Sequence, residues 1–129
     1  MEELEKIREI FRNDRYATET GAVIDEIGDH YAKCSLTLNE HHKNAAGGIM
    51  GGVYFTLADF TFAVATNWQK MGTVSINSDI SFIGVPKSDR ITAEAQLIKD
   101  GRTTCCYNVF ISDELGNPVA AVKFVGFHK

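Results

Sequence analysis

Helical spacing marks the first dozen residues of the chain, and strict alternation marks most of its second half. Leu4, Ile7, Ile10 and Phe11 recur at helical intervals with charges between them, which predicts an amphipathic helix over 2–12 ended by Asn13-Asp14. Ala22 to Ile27 reads as a short strand, with a turn at Gly28-Asp29. Tyr31 to Leu38 then alternates, Ala32, Cys34, Leu36 and Leu38 on one face and Lys33, Ser35 and Thr37 on the other. The two predict a hairpin. After the midpoint, Val74, Ile76, Ile80 and Phe82 share one strand phase, and Ile91, Ala93, Ala95 and Leu97 share the next. Asp100-Gly101 carries a two-residue hairpin signal leading to Thr103, Cys105, Tyr107, Val109 and Ile111. Glu114 to Pro118 turns the chain again into a last strand over Val119–Phe127.

Between these halves lies a stretch with neither pattern. From Asn44 to Gln69 the only charged residue is Asp59, two glycine pairs (Gly47-Gly48 and Gly51-Gly52) open the run, and apolar residues then fall on nearly every side. A helix apolar all round is wrapped by protein or inserted in a membrane. The four glycines, the polar Thr56, Thr61, Thr66 and Asn67, and a mid-helix Asp59 argue against the bilayer, where a central Asp alone costs roughly 2.5–3.5 kcal/mol. The helix is therefore expected from about Met50 to Lys70, with Gly72 as its stop signal. One buried helix and some five strands predict an α+β fold in which a curved antiparallel sheet wraps the helix, with a short helix at the N-terminus. A single sheet leaves one flank of the helix and its own edge strand uncovered, so at least a dimer is expected.

Composition adds exclusions. The 129 residues are expected to form a single domain over 1–129. A net charge of -4 without a basic stripe points away from nucleic acid. The charged N-terminus MEELEKIREIF lacks a signal peptide's apolar segment, and three cysteines, two of them adjacent, fit a reducing, cytoplasmic setting. His41-His42 lacks a third ligand and no zinc spacing is present, so no metal is expected.

Candidate chemistry centres on Gly51 and Asp59. The first amides of a helix have no intrahelical partner and carry the positive end of its dipole. Glycine there lets a carbonyl oxygen, or the oxyanion it becomes, approach closely; the plainer reading is a tight turn before the helix. Asp59 follows eight residues later, about 12 Å along the axis. One helix cannot bring both groups to the same carbonyl, whereas two antiparallel copies can. Burial would raise the pKa of such a carboxylate and suit it as general base or nucleophile; alternatively it bonds a hydroxyl or an amide of a facing subunit. Asn44 is a candidate positioner of water or carbonyl, or a turn former. Ser75 is a candidate support for the carboxylate, or an exposed strand residue.

These residues resemble the hotdog-fold acyl-CoA thioesterases, specifically the PaaI-like (phenylacetate-degradation) branch. The family pattern of Asn, two residues, Gly, two residues and His-Gly-Gly, followed by a helix with Leu-x-Asp, appears as Asn44, Gly47, Met50-Gly51-Gly52 and Leu57-Ala58-Asp59. The likeness extends from Asp14-Arg15-Tyr16-Ala17 through Asp100-Gly101-Arg102 to Glu114-Leu115-Gly116. It implies the hotdog fold and hydrolysis of a thioester to free CoA and a carboxylic acid. Asp59 would be base or nucleophile, Gly51 the oxyanion donor, Asn44 and Ser75 their supports, and Met50, Gly52 and Phe55 the substrate contacts. It also implies no cofactor, coenzyme A only as part of the substrate, and a homodimer within a dimer of dimers. Met50 departs from the family's usual His: a thioether donates no hydrogen bond. That departure motivates a second reading, a protein that binds an acyl-CoA or another apolar-tailed ligand without turning it over.

Overall fold

A computed structural model describes residues 2–129, so Met1, the first residue of the expected 1–129 domain, lies outside it. The chain forms helix α1 (Glu2–Phe11), a short helix α2 (Arg15–Glu19), and the hairpin β1 (Val23–Gly28) and β2 (Tyr31–Thr37). A single 3-10 turn (Glu40–His42) leads to the central helix α3 (Gly51–Asn67), then β3 (Thr73–Phe82), β4 (Arg90–Asp100), β5 (Thr104–Asp113) and β6 (Pro118–His128). The six strands make one antiparallel sheet in the order β1-β2-β4-β5-β6-β3. This is the hotdog architecture, with α3 as the core helix. The short α2 has no sequence periodicity to announce it; it buries only Ala17.

Alternation foretold the sheet well. Ala32, Cys34 and Leu36 of β2, Ile91, Ala93 and Ala95 of β4, and Cys105, Tyr107, Val109 and Ile111 of β5 are all buried. They pack on Tyr54, Leu57, Ala58, Phe60, Phe62 and Val64 of α3. Phe62 stacks on Phe124 at 4.6 Å between ring centroids and meets Tyr107 edge-on at 5.6 Å. Gly126 makes this approach possible: a Cβ there would stand 2.9 Å from the Phe62 ring and 2.7 Å from Cys105 Sγ. At its far end α3 is clasped by Asn67, whose Oδ1 accepts from the amides of Gly72 and Thr73, both at 2.9 Å. Trp68 Nε1 donates to Gly28 O at 2.7 Å and ties the same end to the first hairpin.

Two sequence expectations change. The Asp100-Gly101 hairpin turns through Gly101, Arg102 and Thr103, closed by Gly101 N donating to Thr104 O at 2.8 Å. Strand β3 is the sheet's edge and is exposed along nearly its whole length, so Val74, Ile76 and Phe82 are not core residues in the protomer. Nor do they share a face throughout. A bulge between Ser75 and Asn77 shifts the register, so that Ser75 stands opposite buried Gly126, while Ile80 and Phe82 stand opposite Val122 and Ala120. Directly opposite residues project to the same side. Ser75, Ile80 and Phe82 therefore face the helix, and Val74, opposite exposed Phe127, faces away.

Candidate active site

The approach to α3 is built by Asn44. Its Oδ1 accepts from the amides of Ala46 (3.0 Å) and Gly48 (3.1 Å), and its own amide donates to Gly48 O at 2.7 Å. Gly47 sits at φ +91°, a left-handed conformation that only glycine adopts cheaply. The turn is then fastened to the preceding 3-10 turn by Met50 N donating to His42 O at 2.9 Å. His42 is itself buried and structural: Nδ1 accepts from Asn39 N and Nε2 donates to Thr20 O.

Met50 is the N-cap of α3, and its side chain caps nothing. A Ser, Thr, Asp or Asn at that position would satisfy one of the amides of the first turn. Here Val53 N turns back to Met50 O at 3.0 Å, while the amides of Gly51 and Gly52 have no acceptor among the described residues. They stand at a partly open helix end whose dipole favours negative charge. Gly51 also packs closely: a Cβ would lie 3.0 Å from the ring of exposed Phe82 at the far end of β3, which would have to shift by a few tenths of an ångström.

Along α3 the residues that keep contact with solvent include Gly52, Thr56, Asp59, Ala63 and Thr66, at steps of four and three. They form the stripe that the sheet leaves open. Both threonines satisfy themselves, Thr56 Oγ1 donating to Gly52 O and Thr66 Oγ1 to Phe62 O, each at 2.8 Å. Asp59 does not: its carboxylate has no hydrogen-bond or ionic partner among the described residues. Partial burial pushes its pKa above the ordinary carboxylate range, and the nearby negative charge of Asp14 adds to the shift. Asp14 begins α2, makes no capping hydrogen bond with its side chain, and is likewise pushed up by desolvation.

Within one protomer the candidate residues are spread out. Asn44, Met50, Gly51 and Gly52 gather at the N-terminus of α3, and Asp59 lies about 12 Å along the same continuous helix. Ser75 sits near the start of β3, which lies beside the other end of α3 through the Thr73–Asn67 contact. Phe55 is half-buried, with its ring 5.8 Å from that of Phe124. Met50 is exposed. Asp14 is the neighbour that sequence reasoning missed; only its place in the Asp14-Arg15-Tyr16-Ala17 segment could have drawn attention to it.

Comparison with known proteins agrees with the fold. Residues 46–120 match the family model of the thioesterase superfamily. The acyl-coenzyme A thioesterase PaaI of Escherichia coli K12 is 30% identical over 115 residues, covering 88% of this chain and 82% of that protein. The solved structure of the E. coli PaaI protein from the phenylacetic acid degradation operon superposes with a TM-score of 0.90 at 25% identity, covering 98% of this chain and 93% of that one. A hypothetical thioesterase protein of Streptococcus pneumoniae TIGR4, solved with coenzyme A, shares the fold with a TM-score of 0.84 at 22% identity, over 92% of this chain and 96% of that one.

Proposed function

The chain belongs to the thioesterase superfamily, in its hotdog-fold, PaaI-like branch, and on that premise we propose that it hydrolyses an acyl-CoA thioester to free CoA and a carboxylic acid. One observation carries the reading: a single helix presents two unpartnered N-terminal amides and, about 12 Å further on, an unpartnered half-buried carboxylate. Two protomers packed through the exposed β3 edge and the open stripe of α3 would set Gly51 of one against Asp59 of the partner subunit. Exposed Val74, Ile76 and Phe82 support an interface there, because a long apolar edge left bare invites pairing.

Asp59 would take a proton from water as the water oxygen attacks the acyl carbon. The carbonyl electron pair moves onto oxygen, and the Gly51 amide, with Gly52 beside it, holds that charge. Collapse restores the carbonyl and breaks the C–S bond; the CoA thiolate leaves and recovers the proton. An elevated pKa makes Asp59 a better base than an exposed aspartate, since its proton affinity lies nearer neutrality. Asn44 keeps its Nδ2 group without an acceptor among the described residues and is assigned to orient water or the thioester oxygen. Ser75, on the helix-facing side of the edge strand, is assigned to support the carboxylate across the interface. Phe55 and Met50 are assigned to the acyl group's apolar surroundings.

An acyl-CoA panel tests this reading. Thiol release is expected for at least one short, medium or aryl ester, falling about 10²–10⁴-fold in Asp59→Asn with the fold intact. Absence of hydrolysis across the panel would overturn it. Exposed Met50 favours one competing reading, binding without turnover: saturable CoA-ester binding by calorimetry, no thiol release over hours, and activity gained in Met50→His would establish that instead.

A further inference from the structure

At the opposite end of α3 from Gly51 the sheet assembles a second group of chemically capable side chains. Asp100 and Cys105 are directly opposite across the β4–β5 hairpin, Cys105 is opposite Gly126 of β6, and His128 lies two residues beyond Gly126 on the same face. The register therefore delivers a carboxylate, a thiol and an imidazole whose donor atoms all lie within 4.8 Å of one another. His30 reaches in from the β1–β2 turn, with Nε2 3.9 Å from Asp100 Oδ2. A cavity of about 340 Å³ opens beside them.

The two imidazoles are held alike. His128 Nδ1 is 2.8 Å from Thr73 Oγ1 while its Nε2 is 2.8 Å from Asp100 Oδ1. His30 Nδ1 is 3.2 Å from Tyr107 Oη while its Nε2 faces the same carboxylate. A hydroxyl, able to donate or accept, engages each Nδ1 and holds the ring with Nε2 toward Asp100. A cation bound there would displace the proton that His128 Nε2 shares with that carboxylate, with the hydroxyls supporting the rings from behind. His30 is also the one non-glycine at positive φ among the described residues, at 54°. A histidine holds a left-handed turn position that glycine would occupy more cheaply, and its imidazole reaches the cluster.

We propose that His30 Nε2, Asp100, Cys105 Sγ and His128 Nε2 form a binding site for a divalent transition cation, with zinc the best fit. Two nitrogens, one oxygen and one sulfur suit a tetrahedral zinc ion, whose bonds of about 2.0–2.3 Å require the 2.8 Å His128–Asp100 contact to part and the wider-spaced ligands, His30 foremost, to close in on the ion. Binding replaces the thiol proton with the metal, and thiolate and carboxylate together cancel the ion's charge. The cationic Lys70, Arg102 and Lys129 on the cavity rim then face a neutral centre. The site is remote from the Gly51 amide and does not depend on the thioesterase reading.

The test is metal titration of the full chain after chelator treatment. With cobalt(II) chloride, a thiolate-to-cobalt charge-transfer band is expected to saturate at about one equivalent per chain and to vanish in Cys105→Ser. With zinc chloride, calorimetry is expected to give one site that weakens tenfold or more in His30→Gly. That second variant guards against misfolding, because glycine relieves the positive φ, and its metal-free melting temperature is expected to equal or exceed that of the parent. No cobalt–thiolate band at one equivalent, or zinc affinity unchanged in both variants, would overturn the site.

Discussion

Asp59 is held in a state that costs the fold something and serves the chemistry. Burial first, and the Asp14 charge second, raise its pKa in the folded protein. The folded state therefore prefers Asp59 protonated, and its ionised form lowers stability at neutral pH. Stability from this group grows as pH falls through the raised folded pKa and levels off below the ordinary value of 3.8. Asp59→Asn, which removes the charge while keeping the shape, is expected to raise the melting temperature at pH 7 even as it cuts thiol release about 10²–10⁴-fold; a lower melting temperature would mean the carboxylate is paired in solution. Asp14→Asn removes the repulsion, so the acidic limb of kcat/KM against pH is expected to move to lower pH. An unmoved limb would show that Asp14 does not influence the reacting group.

At the scale of elements, the fold depends on how closely α3 approaches the sheet, and Gly126 sets that distance. Gly126→Ala drives a methyl against Phe62 and Cys105 and is expected to cost about 1–3 kcal/mol in urea unfolding. A neutral result would mean that the Phe62–Phe124 stack can slide. This closeness was not legible in the sequence, where Gly126 is one glycine within an apolar run. The strands themselves were legible, because inward residues of β2, β4 and β5 alternate strictly and Gly- or Asp-containing turns separate them. For β3 the same rule misled, since one extra residue at the bulge reverses the phase and the apolar positions of an edge strand need no core. In the candidate site, the unpartnered helix start at Gly51 and the unpartnered Asp59 were signalled by the glycine pair and the lone charge. Asn44 turned out to use its oxygen for the turn, as its place before glycines allowed. The Asp100–Cys105–His128 group with His30 beside it was invisible because strand register alone joins the Asp100–Cys105 hairpin to His128, and His30 reaches in from a distant turn.

The whole molecule, in this account, is unfinished as a single chain. Exposed Ile76 on the bulged edge would lie within the interface, so Ile76→Lys is expected to shift the sedimenting mass to the monomer and to remove activity together with it. A monomeric parent that hydrolyses thioesters would refute the two-chain site. Complementation asks the question most directly. Gly51→Pro deletes the first amide while keeping the helix start, since proline suits that position and Met50, at φ -63° and ψ 135°, already has the conformation a following proline requires. Chains carrying Gly51→Pro alone and Asp59→Asn alone are each expected to be inactive. Unfolded together and refolded as a mixture, half of random dimers would hold one chain of each kind and one intact site, restoring about a quarter of the parental rate. A mixture no more active than its two components would contradict an active site shared between protomers.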